Sequence, residues 1–394
     1  MTTTLVAPTN EALLGVYRRP RMELVRGAGV ELFDADGKGY LDFVAGIAVN
    51  ALGYGDPALE RAMRDATECG LIHVSNLYRS QPGEQLAAKL AARTFADRVF
   101  FCNSGAEANE GAFKMGRRWA RNIGGPRKHE IVALRGAFHG RLFGTLAATD
   151  RPQYRAPFRP LAGGISIVER DLDELDAVLN RDTVAALIVE PVQGEGGVRV
   201  LEHRFLRALR DMTRDREILL IVDEIQCGYG RTGTFLAHEQ ADIEPDLLTL
   251  AKPMAGGLPM GAILSTRAVA DAMQPGDHGT TFGGGPFVAS VASHVFDRLS
   301  DEALLEHVRT NGAWLEIALH EMESATPKAR AVRGVGYMWG VDVVDPARDV
   351  VERALDAGLL ICSAGEHTVR LLPPLVMARA DLKRGVEILA NSIG

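Results

Sequence analysis

The chain has 394 residues, of which 46% are hydrophobic and 24% are charged, a composition typical of globular proteins large enough for two domains. The formal net charge of −7 argues against binding to nucleic acid or to an anionic membrane, which requires a basic surface. The four cysteines form no C-x-x-C pair, so we expect neither a disulfide framework nor a metal site. Met1–Pro8 has no signal-peptide pattern, and no apolar run approaches the ~20 residues of a membrane span. We therefore expect a cytoplasmic protein.

The first predicted element is a hairpin within residues 24–43, with its turn at Asp36–Gly39. The middle of the chain then alternates short apolar runs, typical of strands, with longer amphipathic stretches, typical of helices. This alternation predicts an α/β fold in which helices cover both faces of a mostly parallel sheet. The predicted strands are Arg98–Cys102, Ile131–Leu134, Val184–Val189, Ile218–Val222, Leu247–Ala251 and Ala262–Leu264, and the predicted helices are Glu84–Thr94, Glu107–Arg121, Leu172–Leu179 and Glu202–Arg214.

The last hundred residues show a different pattern. Long helical stretches begin after about residue 285 and precede short strands near Tyr337–Val343 and Val369–Leu372. We expect both ends of the chain to form a second, smaller domain. The predicted division is an N-terminal part at 1–60, a large domain at 61–284 and a C-terminal part of the small domain at 285–394.

Two predicted strands end in residues of opposite charge. Lys252 follows an apolar run, and a lysine there is costly to desolvate unless it has a function. Asp223 and Glu224 end another apolar run. A lysine and a carboxylate on neighbouring strand ends suit pyridoxal phosphate, because the amine forms a Schiff base with its aldehyde and the carboxylate pairs with its pyridine nitrogen. We therefore predict this cofactor.

A candidate phosphate site lies at Asn103–Asn109, between a predicted strand and a predicted helix. Ser104 and Glu107 have the spacing of a capping box. The N–H groups of Gly105 and Ala106 are then open at the positive end of the helix, where a phosphate binds well. A well-capped helix without a ligand is the alternative, and the position before Asp223 and Lys252 favours the phosphate site.

Other candidate site residues have weaker signals. Phe138 could stack on a flat ring, and Arg141 could bind a carboxylate through two hydrogen bonds. Arg370 interrupts an apolar strand, and a buried arginine requires an anionic partner, either a ligand or an ion pair. Two loops complete the set: one contains Glu190 and Glu195, whose separate roles spacing does not define, and the other contains Thr280 and Thr281, whose hydroxyls could bind an anion.

Gly228–Gly233 matches the pattern G-x-G-x-x-G. A dinucleotide site requires the first glycine at the end of a strand and a helix that begins within the motif. Here several residues separate the motif from the strand that ends at Asp223, and Thr234–Phe235 does not begin a convincing helix. We reject a dinucleotide site.

Together these segments resemble the acetylornithine aminotransferase group of the class III, pyridoxal-phosphate-dependent aminotransferases. The resemblance extends over nearly the whole chain. It implies fold type I, with a mostly parallel seven-stranded sheet in the large domain and an α+β small domain. The most specific motifs are Leu41–Asn50, His73–Tyr78, Asn103–Asn109, Glu190–Val198, Asp223–Gln226, Gly230–Gly233 and Arg370–Pro374.

The resemblance also implies roles for the cofactor-binding residues. Lys252 would be the Schiff-base lysine and proton carrier. Asp223 would keep the pyridine nitrogen protonated, and Gln226 would approach the ring hydroxyl. The remaining implied cofactor contacts are Glu224 and Ile225 beside Asp223, Gly105 and Ala106 at the phosphate, Phe138 on the ring, and Thr281 at the phosphate of the other subunit of a homodimer.

For the substrates, the resemblance implies that Arg141 and Thr280 contact the acylated amino acid. Arg370 would bind the α-carboxylate of 2-oxoglutarate or glutamate, and Glu195 would neutralise Arg370 when the other substrate is bound. The implied reaction transfers the δ-amino group of N-acetylornithine to 2-oxoglutarate, giving N-acetylglutamate 5-semialdehyde and glutamate in arginine biosynthesis.

Three alternatives keep the same chemistry on N-succinylornithine, N-succinyldiaminopimelate or carrier-linked lysine. They differ from acetylornithine beyond the α-amine, in groups that pocket depth and rim charge select. A more distant alternative is an aminomutase, which needs no amino acceptor. A non-catalytic binding protein is disfavoured because Lys252, Asp223 and Thr281 are all present.

Overall fold

The computed structural model describes residues 12–17 and 22–394. Met1–Pro8, for which we expect no secretion signal, lies outside the described residues. Across the described ranges, no helix has both the length and the apolar character needed to cross a bilayer.

The predicted N-terminal hairpin is confirmed. Its two strands pair antiparallel, with Leu32 opposite Tyr40. The carboxylate of Asp34 shapes the turn by accepting hydrogen bonds from the N–H groups of Asp36 (3.1 Å) and Lys38 (2.9 Å). The elements of this region are β1 (Leu24–Ala28), β2 (Glu31–Asp34), β3 (Gly39–Asp42) and the short turn α1 (Ala45–Ala48).

A seven-stranded sheet forms the centre of the fold, and the prediction of a mostly parallel sheet is confirmed. Its order is β4-β12-β11-β10-β7-β5-β6, and β12 runs antiparallel to both of its neighbours. The central strands are buried along their whole length, because helices cover both faces of the sheet. The strands from β4 onward are β4 (Arg98–Cys102), β5 (Glu130–Leu134), β6 (Ile165–Val168), β7 (Val184–Val189), β8 (Val192–Gln193), β9 (Arg199–Val200), β10 (Leu219–Asp223), β11 (Leu247–Leu250) and β12 (Gly261–Ser265).

The four predicted helices are present, with ends that differ by a few residues. The predicted helix at Glu84–Thr94 begins earlier, at Gln81, because Pro82 fits the first turn, where its missing N–H is not needed. Asp56 and Ser104 cap their helices by accepting backbone hydrogen bonds. The helices of this region are α2 (Pro57–Glu68), α3 (Gln81–Arg93), α4 (Gly105–Gly124), α5 (Phe143–Ala147), α6 (Pro152–Arg155), α7 (Leu172–Val178), α8 (His203–Asp215), α9 (Arg267–Ala270) and α10 (Pro286–Leu299).

The C-terminal part joins the N-terminal hairpin. A short C-terminal strand pairs parallel with β3, and a Cβ at Gly385 would lie 2.2 Å from the ring of Phe43, so the two ends are closely packed. Since α10 packs on α2 and α3, we propose that the boundary near 285 lies after α10. The remaining elements are α11 (Glu302–Ala325), β13 (Ala329–Val335), β14 (Met338–Val343), α12 (Ala347–Asp356), β15 (Leu359–Leu360), β16 (Cys362–Ser363), β17 (Thr368–Leu371) and α13 (Arg379–Ile393).

The loop Gly228–Gly233 connects the central sheet to the C-terminal part. Arg231 is buried, and its guanidinium donates to the carbonyls of Tyr337 (3.2 Å) and Pro373. The N–H of Tyr337 donates back to the carbonyl of Arg231 (2.9 Å). Burial lowers the pKa of Arg231 to about 9. The motif therefore serves as a link between the two parts of the chain.

We expect Arg231→Leu to destabilise the protein, because two buried carbonyl groups would lose their donor at a cost of about 2–3 kcal/mol. Thermal and urea unfolding would measure the loss. Arg207→Leu is the matched control, since Arg207 donates to one carbonyl at a partly exposed site, and it should cost less than about 1 kcal/mol. Equal, small losses in both variants would contradict this assignment.

Candidate active site

A cavity of about 410 Å³ lies at the carboxyl-terminal edge of the central sheet. Asp223 ends β10 and Glu190 follows β7, while Phe138 follows β5 and Lys252 follows β11. Parallel strands bring their carboxyl ends to one edge, so residues far apart in sequence meet there. The predicted site residues that line the cavity are Gly105, Ala106, Phe138, Arg141, Glu195, Asp223, Ile225, Gln226 and Lys252.

Lys252 lies at the start of a short 3₁₀ turn, Lys252–Ala255. Its side chain lines the cavity and has no hydrogen-bond partner among the described residues. The pKa of this amine is lowered to about 8, chiefly by burial and also by the charge of Arg370, against an opposing effect from carboxylates such as Glu195 and Asp223. More of this amine is therefore neutral near physiological pH than of an ordinary lysine, and the neutral form is the one in which an amine is a nucleophile or a base.

Asp223 is buried, yet three donors satisfy its carboxylate. Oδ2 accepts from Nδ2 of Asn109 (2.7 Å) and from Nδ1 of His139 (2.8 Å), and Oδ1 accepts from the N–H of Ile225 (3.0 Å). Because an ionised carboxylate only accepts, Nδ1 of His139 carries a proton. The hydroxyl of Thr249 in turn donates to Oδ1 of Asn109 (2.7 Å). Donors favour the ionised form, so this network holds Asp223 as an anion in a fixed orientation.

Three members of this network, Asn109, His139 and Thr249, were not among the predicted site residues. Asn109 lies on the buried face of α4, between the buried Ala108 and Ala112. Thr249 interrupts the otherwise apolar strand Leu247–Leu250. A polar side chain within an apolar stripe was the available signal, because such a residue must find a partner when it is buried.

The capping box at the start of α4 forms with one difference. Oγ of Ser104 accepts from the N–H of Glu107 (3.2 Å), as predicted. The carboxylate of Glu107 reaches the N–H of Asn103 (2.8 Å) instead of that of the capping residue. The helix end is thus held against the residue that follows β4, with its first turn facing the cavity.

Gly105 and Ala106 form the part of the wall suited to an anion. They lie in the first turn of α4, where N–H groups have no partner within the helix. A Cβ at Gly105 would lie 2.8 Å from the side chain of Ile225, so glycine is required there. Phe138 contributes a half-buried ring to the same cavity.

Arg370 is buried at the end of β17 and its charge is neutralised. Its guanidinium contacts Oε1 of Glu195 at 2.7 Å and donates to Oε1 of Gln226 at 3.0 Å and to Sγ of Cys362 at 3.5 Å. Burial raises the pKa of Glu195, but the charge of Arg370 outweighs this effect and lowers it. The carbonyl oxygen of Gln226 is thus already engaged by Arg370.

Arg141 lies at the exposed rim of the cavity, with its guanidinium 3.7 Å from the centre of the Tyr154 ring. Thr280 and Thr281 lie outside the cavity lining. Oγ1 of Thr280 accepts from Nδ2 of Asn103 (3.0 Å), and Thr281 is exposed. Within the described chain, the two threonines therefore do not meet the other predicted site residues.

Glu224 is also outside the cavity lining. Its two oxygens accept from the N–H groups of Ala237 (2.6 Å) and His238 (2.8 Å), and Nδ1 of His238 lies 2.7 Å away. The side chain thus secures a 3₁₀ turn on the other side of its strand end. Successive side chains alternate in direction at the end of a strand, which separates Glu224 from Asp223.

The Aminotransferase class-III family model matches residues 16–393. An acetylornithine aminotransferase, mitochondrial, from Alnus glutinosa is 44% identical over 386 residues, covering 97% of this chain and 85% of that protein. The chain is a class III aminotransferase.

Solved structures of related enzymes share this fold. The ornithine aminotransferase of Toxoplasma gondii ME49 superposes on this aminotransferase with a TM-score of 0.93 at 30% identity, covering 97% of this chain and 92% of that one. N-acetylornithine aminotransferase from Stenotrophomonas maltophilia K279a gives 0.82 at 36% identity, covering 95% and 96%. The fold of this aminotransferase is therefore that of fold type I, as expected.

We expect Asn109→Leu to reduce kcat/KM of the aminotransferase reaction about 10- to 100-fold, because the carboxylate of Asp223 would lose a hydrogen bond worth roughly 1.5–3 kcal/mol. Steady-state kinetics would measure the loss. Asn311→Leu is the matched control, since Asn311 is also a buried helical asparagine, bonded to His307 and Arg379 in the C-terminal part. Equal losses in the two variants would show that Asn109 acts only through stability.

Proposed function

We propose that this aminotransferase uses pyridoxal phosphate to transfer the δ-amino group of N-acetylornithine to 2-oxoglutarate. The products would be N-acetylglutamate 5-semialdehyde and glutamate, in arginine biosynthesis. The observation that carries the proposal is the pair of arginines on the cavity: Arg141 faces solvent at the rim, whereas Arg370 is neutralised by Glu195. Relatives named acetylornithine aminotransferase support the choice of donor.

The residues of the cavity fit the cofactor. The amine of Lys252 is without a partner, and the carboxylate of Asp223 is held in the wall. The first turn of α4 at Gly105 offers N–H groups to a phosphate, and the ring of Phe138 could cover a flat face. When bound, pyridoxal phosphate supplies an electron sink that stabilises negative charge at the reacting carbon of the substrate.

The protein then supplies proton transfer and charge. In this reaction Lys252 would remove a proton from the reacting carbon of the substrate and deliver it to the carbon derived from the cofactor aldehyde. The amine must be neutral to accept the proton. Its pKa of about 8, lowered by burial, makes that form available. Asp223 remains ionised because Asn109 and His139 donate to it.

Charge explains how one cavity could accept two substrates. N-acetylornithine carries one carboxylate, which Arg141 would bind, and the Glu195–Arg370 pair then leaves no second free cation at Arg370. 2-Oxoglutarate carries two carboxylates, so Glu195 would have to release Arg370 to bind the second. Specificity thus depends on how many charges the substrate brings.

The alternative donors N-succinylornithine, N-succinyldiaminopimelate and carrier-linked lysine would undergo the same reaction and remain second candidates. An aminomutase would be distinguished from an aminotransferase by activity that does not depend on 2-oxoglutarate. Free ornithine is a donor to test, because the Toxoplasma gondii neighbour is named an ornithine aminotransferase.

We also propose a cytoplasmic homodimer in which Thr281 reaches the phosphate site of the partner subunit. Support comes from the exposed position of Thr281 and from apolar side chains beside it. Leu77 is 88% exposed and Phe282 is 65% exposed, and Nδ2 of Asn76 joins their two segments by donating to the carbonyls of Thr280 (3.1 Å) and Gly283 (3.2 Å). Such a patch is typical of an interface.

The first test is a half-reaction. Addition of N-acetylornithine alone to the cofactor-loaded protein should bleach its visible absorbance, and addition of 2-oxoglutarate should restore it. Lys252→Ala should abolish both changes. Bleaching by ornithine but not by N-acetylornithine would make ornithine the assigned donor. An absence of colour would contradict the assignment of pyridoxal phosphate as the cofactor.

Steady-state kinetics should distinguish the roles of Arg370 and Arg141. We expect Arg370→Gln to raise the KM for 2-oxoglutarate about 10- to 100-fold, the value of a lost charge-assisted hydrogen bond, and to leave the N-acetylornithine half-reaction within about threefold. Arg141→Gln is the matched variant, because it should weaken both half-reactions. Equal effects of the two substitutions on both half-reactions would contradict the division of roles.

A further inference from the structure

Two buried carboxyl groups, Glu190 and Asp223, share the inner wall of the cavity, with 6% and 3% of their surfaces exposed. Their environments differ. Asp223 accepts three hydrogen bonds, whereas Glu190 accepts one, from the N–H of Phe138 to Oε1 at 2.9 Å. Two neighbouring buried carboxyl groups do not both ionise readily, and the better solvated one takes the charge.

We propose that Glu190 is a proton-holding, positioning residue: when the two carboxyl groups share one proton, Glu190 holds it and Asp223 alone carries charge. The purpose assigned to the charge of Asp223 rests on the proposed function. The allocation of the proton rests on the two sets of hydrogen-bond donors and on burial.

The groups that face Glu190 come from three strand ends. The pKa of Glu190 is raised to about 7, chiefly by burial and also by the charge of Asp223, against the opposing effects of His139 and Lys252. Nε2 of His139 is buried without a hydrogen-bond partner among the described residues, and its Nδ1 donates to Asp223. Burial raises the pKa of Cys227 as well, so this neighbour remains an uncharged thiol.

The proton has a use in the chemistry of the site. Oε2 of Glu190 has no hydrogen-bond partner among the described residues, and the side chain lines the cavity. A neutral acid can donate from this oxygen into the cavity, whereas a second anion beside Asp223 would repel carboxylate substrates.

Infrared difference spectroscopy on the cofactor-free protein tests the proposal. At pH 6, wild type should show the carbonyl stretch of a protonated carboxylic acid, and Glu190→Gln should lack it. Glu195→Gln is the matched control in the same cavity, and it should keep the band because Arg370 holds Glu195 ionised. Absence of the band from wild type at pH 6 would overturn the proposal, even if the Gln variant does not fold.

The stability of the cofactor-free protein gives a second readout. The native pKa of Glu190 lies above its unfolded value of about 4.5. The carboxyl group of Glu190 therefore makes its full favourable contribution to the free energy of unfolding below about pH 4.5, and this contribution is lost as pH rises to about 7. The melting temperature of wild type relative to Glu190→Gln should therefore fall by a few degrees between pH 5 and pH 8. Parallel curves would overturn the proposal.

Both measurements omit cofactor and substrate. If the protein shows the acid band but fails the half-reaction, the assignment of the proton to Glu190 stands and the proposed function is contradicted. If the protein passes the half-reaction without the band, the proposed function stands and the assignment of the proton is contradicted.

Discussion

The hydrogen-bonded carboxylate of Asp223 is the interaction on which the candidate site depends. An isolated ion in this position would be too costly to bury. Asn109, His139 and the backbone of Ile225 replace the water that it loses. Each donor comes from a different part of the chain, so the charge is stable only when α4, the loop after β5 and the end of β10 are all in place.

The parallel sheet makes this convergence possible. Its strands deliver Asp223, Glu190 and Lys252 to one edge, and buried hydrophobic side chains fix their spacing. The C-terminal part then adds Arg370 from a separate sheet. Arg231 fixes the C-terminal part against the central sheet by donating to backbone carbonyls. The chemistry of the cavity therefore depends on the packing between these two parts of the chain.

Much of this was predictable, since strand ends are readable as apolar runs and Lys252 and Asp223 end two of them. The capping box at Ser104 was readable from spacing. The partner of Asn109 was not, because it lies 114 positions away and only the three-dimensional fold joins them. Local sequence likewise does not show which way Glu224 points, and the short strand β6 has too few residues for a clear pattern. Long-range pairing and side-chain direction were therefore the parts that needed the structure.

The unpaired, partly neutral amine of Lys252 has a consequence for the assembly of the enzyme in the cell. A neutral amine reacts with many aldehydes, so a newly folded chain is exposed to damage by reactive carbonyl metabolites. The positive end of α4 lies on the same cavity and favours an aldehyde that also carries a negative group. Among aldehydes, the cavity therefore favours one whose anionic group can lie at the start of α4 while its carbonyl meets Lys252.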